Sequence, residues 1–309
     1  MQTPSIDIYG NEYDTFENIP EGAVFDELDL FSTELTEKLT TLTVRKLKFI
    51  QLLNDCDDTD TDIPLFSVLP KGLKELDCSE ASITSLKGLP EGLEKLDCRE
   101  TNITSLEGLP EGLKELDCNG TKITSLKGLP KGLKSLICND TNITSFEGLP
   151  EGLEVLHCWA TEITSLKGLP QGLKELICAH TPISSLEGLP KKLEMLSCEG
   201  TNITSLKGLP QGLKMLYCSD TKITSLEGVP SGIKEIYCYD CKELISLKGV
   251  PRGIKYINCE GCDKIKYVPD YIPDEAIDGL SKEKIAESKE NWRKGQEQRA
   301  AITKRFMER

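Results

Sequence analysis

Four cysteines near the end of the chain have the spacing of a structural zinc site. Cys238 and Cys241 form one C-x₂-C pair, and Cys259 and Cys262 form a second pair after seventeen intervening residues. Structural zinc is held tetrahedrally by four thiolate or imidazole ligands, which two such pairs commonly supply. The spacing therefore allows a zinc site at these four residues. A periodic pattern in the sequence also explains this spacing. Because of that pattern, we predict no metal and no cofactor.

The periodic pattern is a cysteine that recurs with a fixed period. Ten of the thirteen cysteines stand at Cys78, then every twenty residues to Cys238, and then at Cys259. Free cysteine behaves as a small buried hydrophobe, so this periodic position predicts core residues. Cys241 and Cys262 occupy a second fixed position, which holds threonine in most other repeats. We therefore interpret them all as free core thiols, which persist in a reducing compartment.

Other residues that could do chemistry form no catalytic arrangement in the sequence. The two histidines, His157 and His180, are not paired with a recognisable nucleophile, because Cys158 belongs to the periodic core position. The glycines belong to repeat corners or turns and form no phosphate-binding loop. We predict that the protein is not an enzyme and has no catalytic residues.

The elements that position these residues are repeats of twenty residues. The first regular repeat runs from Leu73 to Gly92, and the common template is L-x-x-L-x-C-x-x-T-x-I-x-x-L-x-G-L-P-x-G. Its proline recurs every twenty residues from Pro70 to Pro230 and then at Pro251. A fixed period of this length is typical of a solenoid. Alternating apolar residues predict a short parallel strand in each repeat. Twenty residues leave too little room for a helical return, so we expect extended or polyproline-like returns.

The template resembles the leucine-rich repeat, L-x-x-L-x-L-x-x-N/C-x-L, with cysteine at the third apolar position and threonine where asparagine is usual. The resemblance covers residues 70–269 well and 19–69 loosely. It implies a leucine-rich-repeat solenoid with a parallel β-sheet on one face.

The Leu-Pro before each strand also resembles the bacterial-type repeats of type III-secreted effectors and the repeat arrays of large DNA viruses. In the ligase branch of those effectors a large helical domain with a Cys-x-Asp motif follows the repeats. Here Cys138-Asn-Asp140 and Cys218-Ser-Asp220 lie inside the repeats, and only about 40 residues follow the array. The resemblance therefore implies a non-catalytic scaffold that binds another protein. The alternative is a substrate-recognition subunit of a ubiquitin-ligase-type complex, and a third is a zinc-stabilised structural protein.

Four segments are expected along the chain. Residues 1–18 form a flexible leader, 19–69 two degenerate capping repeats, 70–269 the regular array, and 270–309 a charged C-terminal helix. Within the capping segment, Asn54 to Asp62 has the composition of an acidic loop. A helix over Glu34 to Leu53 is the alternative there, because apolar residues keep partial helical spacing.

The C-terminal segment predicts a helix with Ser281 as its N-cap. Ile285 and Trp292 stand one heptad apart and Phe306 two heptads further on. The helix either covers the last repeat or stands in solvent, and the alternative is a role in docking or targeting.

Composition excludes several classes of function. The 309 residues carry a formal charge of −14, which is unsuited to binding nucleic acid phosphates and favours basic partners. The first residues lack the basic and apolar regions of a secretory signal, and no apolar run is long enough to span a membrane. We expect a monomer in the cytoplasm, of its own or of a host cell.

The positions that the template leaves free predict where a partner binds. Residues three, five and seven of each repeat should point outward from the strands. They are charged in the first three repeats and become apolar and aromatic afterwards. Tryptophan, tyrosine and methionine on a solvent-facing sheet are typical of interfaces. Alternatively, they satisfy β-propensity or pack on a terminal segment. The predicted patch is centred on Trp159 and comprises Ile137, Val155, His157, Trp159, Ile177, Met195, Met215, Tyr217, Tyr237 and Tyr239.

Overall fold

Each regular repeat forms one coil, in which a three-residue strand at positions three to five is followed by a return that contains turns and irregular backbone but no helix. The structure, a computed structural model, describes residues 5–6, 12–13, 18–31, 37–50, 66, 69–70 and 72–307. The chain divides into two compact units, Met1–Thr161 and Glu162–Arg309.

The first unit contains one antiparallel pair and a run of parallel strands. The short strands β1 (Ser5–Ile6) and β2 (Glu12–Tyr13) pair antiparallel. The parallel strands pair in chain order, each with the next. They are β3 (Val24–Phe31), β4 (Thr43–Ile50), β5 (Glu75–Asp77), β6 (Lys95–Asp97), β7 (Glu115–Asp117), β8 (Ser135–Ile137) and β9 (Val155–His157).

The second unit is built from coils of the same kind. Its strands pair in parallel with a shift of one repeat, so that Met195 lies opposite Met215 and Leu196 opposite Leu216. These strands are β10 (Glu175–Ile177), β11 (Met195–Ser197), β12 (Met215–Tyr217), β13 (Glu235–Tyr237), β14 (Tyr256–Asn258) and β15 (Ile277–Asp278). The helix α1 (Lys282–Met307) follows.

The segment before the regular array contains a strand, and not the helix over Glu34 to Leu53 that was the alternative prediction. Residues Glu37–Thr41 form one 3₁₀ turn, and Thr43–Ile50 form β4, which pairs with β3 and β5. Val44 and Leu47 point into the core as the repeat template predicts. The acidic stretch from Asn54 to Asp62 and most of the leader lie outside the described residues. Two degenerate capping repeats therefore stay a prediction.

The core is built from the fixed apolar positions of the template. In the coil that begins at Leu133, the side chains of Leu133, Leu136, Cys138 and Ile143 are fully buried. Thr141 is buried too, and its Oγ1 donates a hydrogen bond to the Cys138 carbonyl at 2.7 Å. The threonine position therefore bonds the turn backbone. Burial of such side chains stabilises by about 1.5–3 kcal/mol each, which chain entropy largely offsets, so a coil depends on its neighbours.

One glycine in each return lets neighbouring coils approach closely. Gly148 has a φ of 101°, a left-handed conformation that side chains disfavour. A Cβ at this position would also lie 2.6 Å from the backbone oxygen of Leu126 in the preceding coil. The close stacking of the returns therefore requires glycine here.

The helix α1 packs on the last coil of the second unit. Ser281 Oγ accepts a hydrogen bond from the Lys284 N–H at 3.1 Å, so it caps the helix as predicted. Ile285 is buried, and Lys289 Nζ donates to the Ile272 carbonyl at 2.7 Å and pairs with Asp274. One turn further on, Arg293 pairs with Asp270 at 3.0 Å. The first three turns of α1 thus cover the end of the array.

We predict opposite outcomes for two glycines of one coil. Gly148→Ala should lower the free energy of unfolding by more than about 2 kcal/mol, because the left-handed backbone and the contact with Leu126 are both strained. Gly152→Ala should change it by less than about 1 kcal/mol, since its Cβ would meet nothing closer than 3.6 Å. Urea unfolding followed by circular dichroism measures both. Equal effects would contradict the role assigned to Gly148.

Candidate functional site

The outward positions of the coil differ in their exposure. The strand ends at position five, and position seven already lies in a turn, because the residue at position eight takes a left-handed backbone in each coil, as at Asp140 with a φ of 51°. The expectation that position seven always points outward is wrong. Asn139, Ala179 and Ser219 occupy it and are buried. Only some members of this position, such as Trp159 and Tyr239, are exposed.

The charged coils of the first unit use their outward carboxylates to hold the turn. One carboxylate oxygen of Asp77, Asp97 and Asp117 accepts a hydrogen bond from the N–H two residues later, at 3.0, 3.2 and 3.0 Å. Lys95 and Glu115, on neighbouring strands, form an ion pair at 3.1 Å. Much of the charge on these coils therefore serves the fold.

The first unit holds four of the predicted patch residues. Ile137 lies opposite His157 on adjacent strands, and both are half-buried, as is Val155. Trp159 is 38% exposed in the turn after β9. The backbone N–H of Trp159 donates to Oδ1 of the buried Asn139 at 3.0 Å, which fixes the backbone that carries the indole.

The second unit holds the other six, and most of them adjoin one another. Met195 lies beside Met215, and the rings of Tyr217 and Tyr237 stack in parallel with centroids 4.5 Å apart. Tyr239 is 41% exposed in the turn after β13. Ile177 stands apart from the tyrosines, because the small, buried Ser197 lies between it and Tyr217.

Tyr256 joins this surface although it was not among the predicted residues. Its ring lies 5.4 Å from that of Tyr237 at an angle of 52°. Tyr256 occupies position three of its repeat, whereas Tyr217 and Tyr237 occupy position five. Comparing only residues at the same repeat position misses a contact between position three of one coil and position five of the coil before it. We call the following residues the tyrosine face: Met195, Met215, Tyr217, Tyr237, Tyr239 and Tyr256.

Carboxylates orient the tyrosine hydroxyls. Tyr237 donates to Glu235 at 3.2 Å, and Tyr256 donates to Asp278 at 2.8 Å. Burial and the charge of Glu235 raise the pKa of Tyr237, and the hydrogen bond to Asp278 raises the pKa of Tyr256. Both phenols therefore keep their protons at neutral pH, and their rings are held in place.

The periodic cysteines form a ladder of buried thiols. In most coils the thiol donates to the carbonyl of position five in the next coil, as from Cys98 to Asp117 at 3.4 Å and from Cys178 to Ser197 at 3.3 Å. Burial raises the pKa of Cys178 to about 12. Such thiols are neutral and unreactive at physiological pH.

The four cysteines with zinc-like spacing are also core thiols, although two of them bond the preceding coil instead of the next. All are buried, and Cys241 and Cys262 donate to the carbonyls of Cys218 and Cys238 at 3.2 and 3.0 Å. Burial raises the pKa of Cys259 to about 12. Throughout the described part of the chain, no three His, Cys, Asp or Glu side chains are arranged to hold a metal ion. The observed contacts are those of core thiols.

Coil length, parallel strands and helix-free returns define the class: the chain is a leucine-rich repeat protein with twenty-residue repeats. Leucine-rich repeats commonly mediate protein–protein interaction. Among the described residues, no helix has the length and apolar character needed to cross a bilayer.

Solved structures with the same fold include bacterial and viral proteins. YopM from Yersinia enterocolitica is 26% identical over 82% of this chain, with a TM-score of 0.59. The functional domain of InlJ from Listeria monocytogenes, which includes a cysteine ladder, is 23% identical over 79% of this chain, with a TM-score of 0.59. CroV588, a circular leucine-rich repeat protein, is 19% identical over 81%, also with a TM-score of 0.59.

This chain spans 59% of the YopM chain, 55% of the InlJ functional domain and 40% of the CroV588 chain. The likenesses to InlJ and CroV588 show the fold alone. No family model and no curated protein matches the sequence.

We predict that the described thiols resist modification while the protein is folded. A Cys56→Ser background removes the one cysteine outside the described residues. At about pH 8 a thiol reagent should label almost none of the remaining twelve, because they are buried and neutral, and should label all twelve in denaturant. Rapid labelling of several thiols in the native protein would contradict the ladder.

We also predict that one surface aspartate limits stability. Burial and the neighbouring Asp77 raise the pKa of Asp97, so its charge opposes folding above that pKa and the cost disappears as pH falls through it. Asp97→Asn should stabilise by roughly 0.5 kcal/mol near neutral pH and by less as the pH falls toward about 4. Asparagine keeps the turn bond, as Asn258 does with the Glu260 N–H at 3.0 Å.

Urea unfolding at several pH values measures the effect of Asp97→Asn. The exposed Glu111→Gln, which removes the same charge from a return turn, is the control. A loss of stability in Asp97→Asn at neutral pH would contradict the prediction.

Proposed function

We propose that the protein is a non-catalytic scaffold that binds another protein through the tyrosine face. The observation that carries the proposal is the stacked pair of Tyr217 and Tyr237, extended by Tyr256, on the open side of the strands. Aromatic and methionine side chains are enriched in the centres of protein interfaces.

The rigidity of this surface favours binding. Tyr217, Tyr237 and Tyr256 are half-buried against one another, and Glu235 and Asp278 hold two of their hydroxyls. Side chains that are already ordered lose less conformational entropy when a partner binds. A partner would therefore gain contact with apolar ring surface at a small entropic cost.

Strand propensity does not account for the whole face. Aromatic residues favour strands, which could explain Tyr217 and Tyr237. Tyr239, however, lies in the turn after β13 and is exposed, and Met195 and Met215 are not β-branched. A binding surface explains all of these residues together.

The first unit offers a second set of contacts. Trp159 is exposed beside Val155 and His157, and tryptophan is frequent among the residues that contribute most to interface affinity. We propose this set as a further contact for a protein partner. The free thiols of the core suit a reducing cytoplasm, which stays the proposed location.

The test is affinity for a purified partner, first recovered with the wild-type chain as bait. Tyr217→Ala with Tyr237→Ala should weaken binding by roughly tenfold or more, because it removes the stacked pair. Isothermal titration measures the dissociation constant. Trp159→Ala, measured in parallel, tests the contact in the first unit.

The matched control removes exposed apolar side chains from the returns of the same unit. Tyr267 is 40% exposed and Ile245 is 38% exposed. A chain with Tyr267→Ala and Ile245→Ala should bind as the wild type does. Equal affinity of the wild type, the Tyr217→Ala, Tyr237→Ala chain and this control would remove the tyrosine face as the binding site. Recovery of ubiquitin-ligase subunits as the partner would support the recognition-subunit alternative instead.

A further inference from the structure

A polar cavity opens beside the tyrosine face, within the second unit. It has a volume of ≈ 430 Å³ and lies at the turns that follow strands β10 to β13. Tyr239 belongs both to its lining and to the tyrosine face. The volume falls within the range of about 300–1,000 Å³ that is usual for ligand pockets.

The cavity exists because of the backbone of four successive turns. His180, Gly200, Asp220 and Asp240 have φ values of 53°, 62°, 50° and 54°, and all four line it. The ring of His180 lies over Gly200, where any side chain would collide with it. Each turn is also tied to the next coil by a backbone bond, as from the Asp220 N–H to the Tyr239 carbonyl at 3.0 Å. The lining is therefore a fixed structure.

The carboxylates of the cavity outnumber its fixed cation. Lys242 donates to Asp240 at 2.6 Å and to the Gly261 carbonyl at 3.2 Å, so that lysine is already engaged. Within the part of the chain that the structure describes, Glu199 and Asp220 form no ion pair. The cavity thus presents two carboxylates without a counterion.

A buried hydroxyl supplies an independent sign of a missing ligand. Ser219 is only 1% exposed, it lines the cavity, and among the described residues its Oγ has no hydrogen-bond partner. Buried polar atoms almost always find a partner, since an unpaired one costs about 1–3 kcal/mol. A ligand atom that donates a hydrogen bond would satisfy it.

We propose that this cavity receives a lysine or arginine side chain of the protein partner. Ammonium and guanidinium groups carry only donors, which match the oxygens of Glu199, Ser219 and Asp220. The exposed ring of Tyr239 adds an aromatic face for the cation. A metal ion fits less well, because no group of three or more ligating side chains is arranged for one in the described residues.

This inference rests on the proposed function, since the tyrosine face places the partner beside the cavity. The formal charge of −14 also favours a basic partner. Burial and the charge of Glu199 raise the pKa of Tyr239, so its phenol stays neutral next to the cavity.

The experiment selects peptides from a displayed random library on the full wild-type chain. Binding is then measured by fluorescence anisotropy for each peptide, with each arginine or lysine replaced in turn by neutral citrulline or norleucine. We expect one basic residue whose replacement weakens binding to the wild type by roughly tenfold, equivalent to about 1.4 kcal/mol. The same replacement should change binding to the Glu199→Gln, Asp220→Asn chain by less than about twofold.

Control chains separate the cavity from other effects of charge. Asp140→Asn with Glu260→Gln removes two charges at the same repeat positions but outside the cavity lining, and should bind like the wild type. Asparagine tolerates the left-handed backbone, so Asp220→Asn should fold normally, which circular dichroism checks. Ser219→Ala should weaken binding of the basic peptides without lowering the urea midpoint, because it removes an unpaired buried hydroxyl.

The outcomes distinguish the two proposals. If Tyr217→Ala with Tyr237→Ala abolishes binding while the cavity variants bind the basic and neutral peptides as the wild type does, the cavity proposal is wrong and the tyrosine face stands. If peptides bind all chains equally, or if no peptide binds the wild type, both proposals are wrong. Selected peptides that need no basic residue also overturn the cavity.

Discussion

Every coil depends on the next through a fixed twenty-residue register. A three-residue strand satisfies its backbone only by pairing with the strands before and after it, and its leucines are buried only between coils. The cysteine and threonine positions extend this dependence, since most periodic thiols bond the next coil and each threonine hydroxyl closes its own turn. Almost all of the inward side chains therefore stabilise the array.

The outward positions are divided between folding and recognition. In the charged coils Asp77, Asp97 and Asp117 fix the turn that follows the strand, so they are less available to a partner. Backbone bonds between coils hold the turn in both kinds of coil, as from the Glu80 N–H to the Arg99 carbonyl and from the Asp220 N–H to the Tyr239 carbonyl, so Tyr217 and Tyr237 can replace the aspartates without loss of the turn. Side chains at position five are then free to stack and to present apolar surface.

Most of the fold could be predicted from the sequence because its signal repeats. The inward leucines, the free thiols, the helix-free return and the Ser281 cap follow from residue type and period. Exposure at position seven could not be predicted, since it depends on the size of neighbours in adjacent coils: Ser219 is buried while Tyr239 is exposed. The contact between Tyr237 and Tyr256 and the cavity beside Gly200 arise from three-dimensional neighbours at different repeat positions, which a single template does not relate.

The equal length of the regular coils has a consequence for how such a chain can change over generations. Removing or duplicating the stretch from Leu93 to Gly112 would rejoin position twenty of one repeat to position one of another, with every side chain still in register. Recombination between repeats could therefore alter the number of coils, because the new junction between position twenty and position one is of a kind already present in the array. The coil from Pro230 to Pro251 is one residue longer, yet its strand pairs in the same register with the next, so the return accommodates the extra residue. Loss of that coil would remove Tyr237 and Tyr239 from the tyrosine face, whereas loss of a charged coil would leave the face intact, so selection would tolerate a change in the number of charged coils more readily.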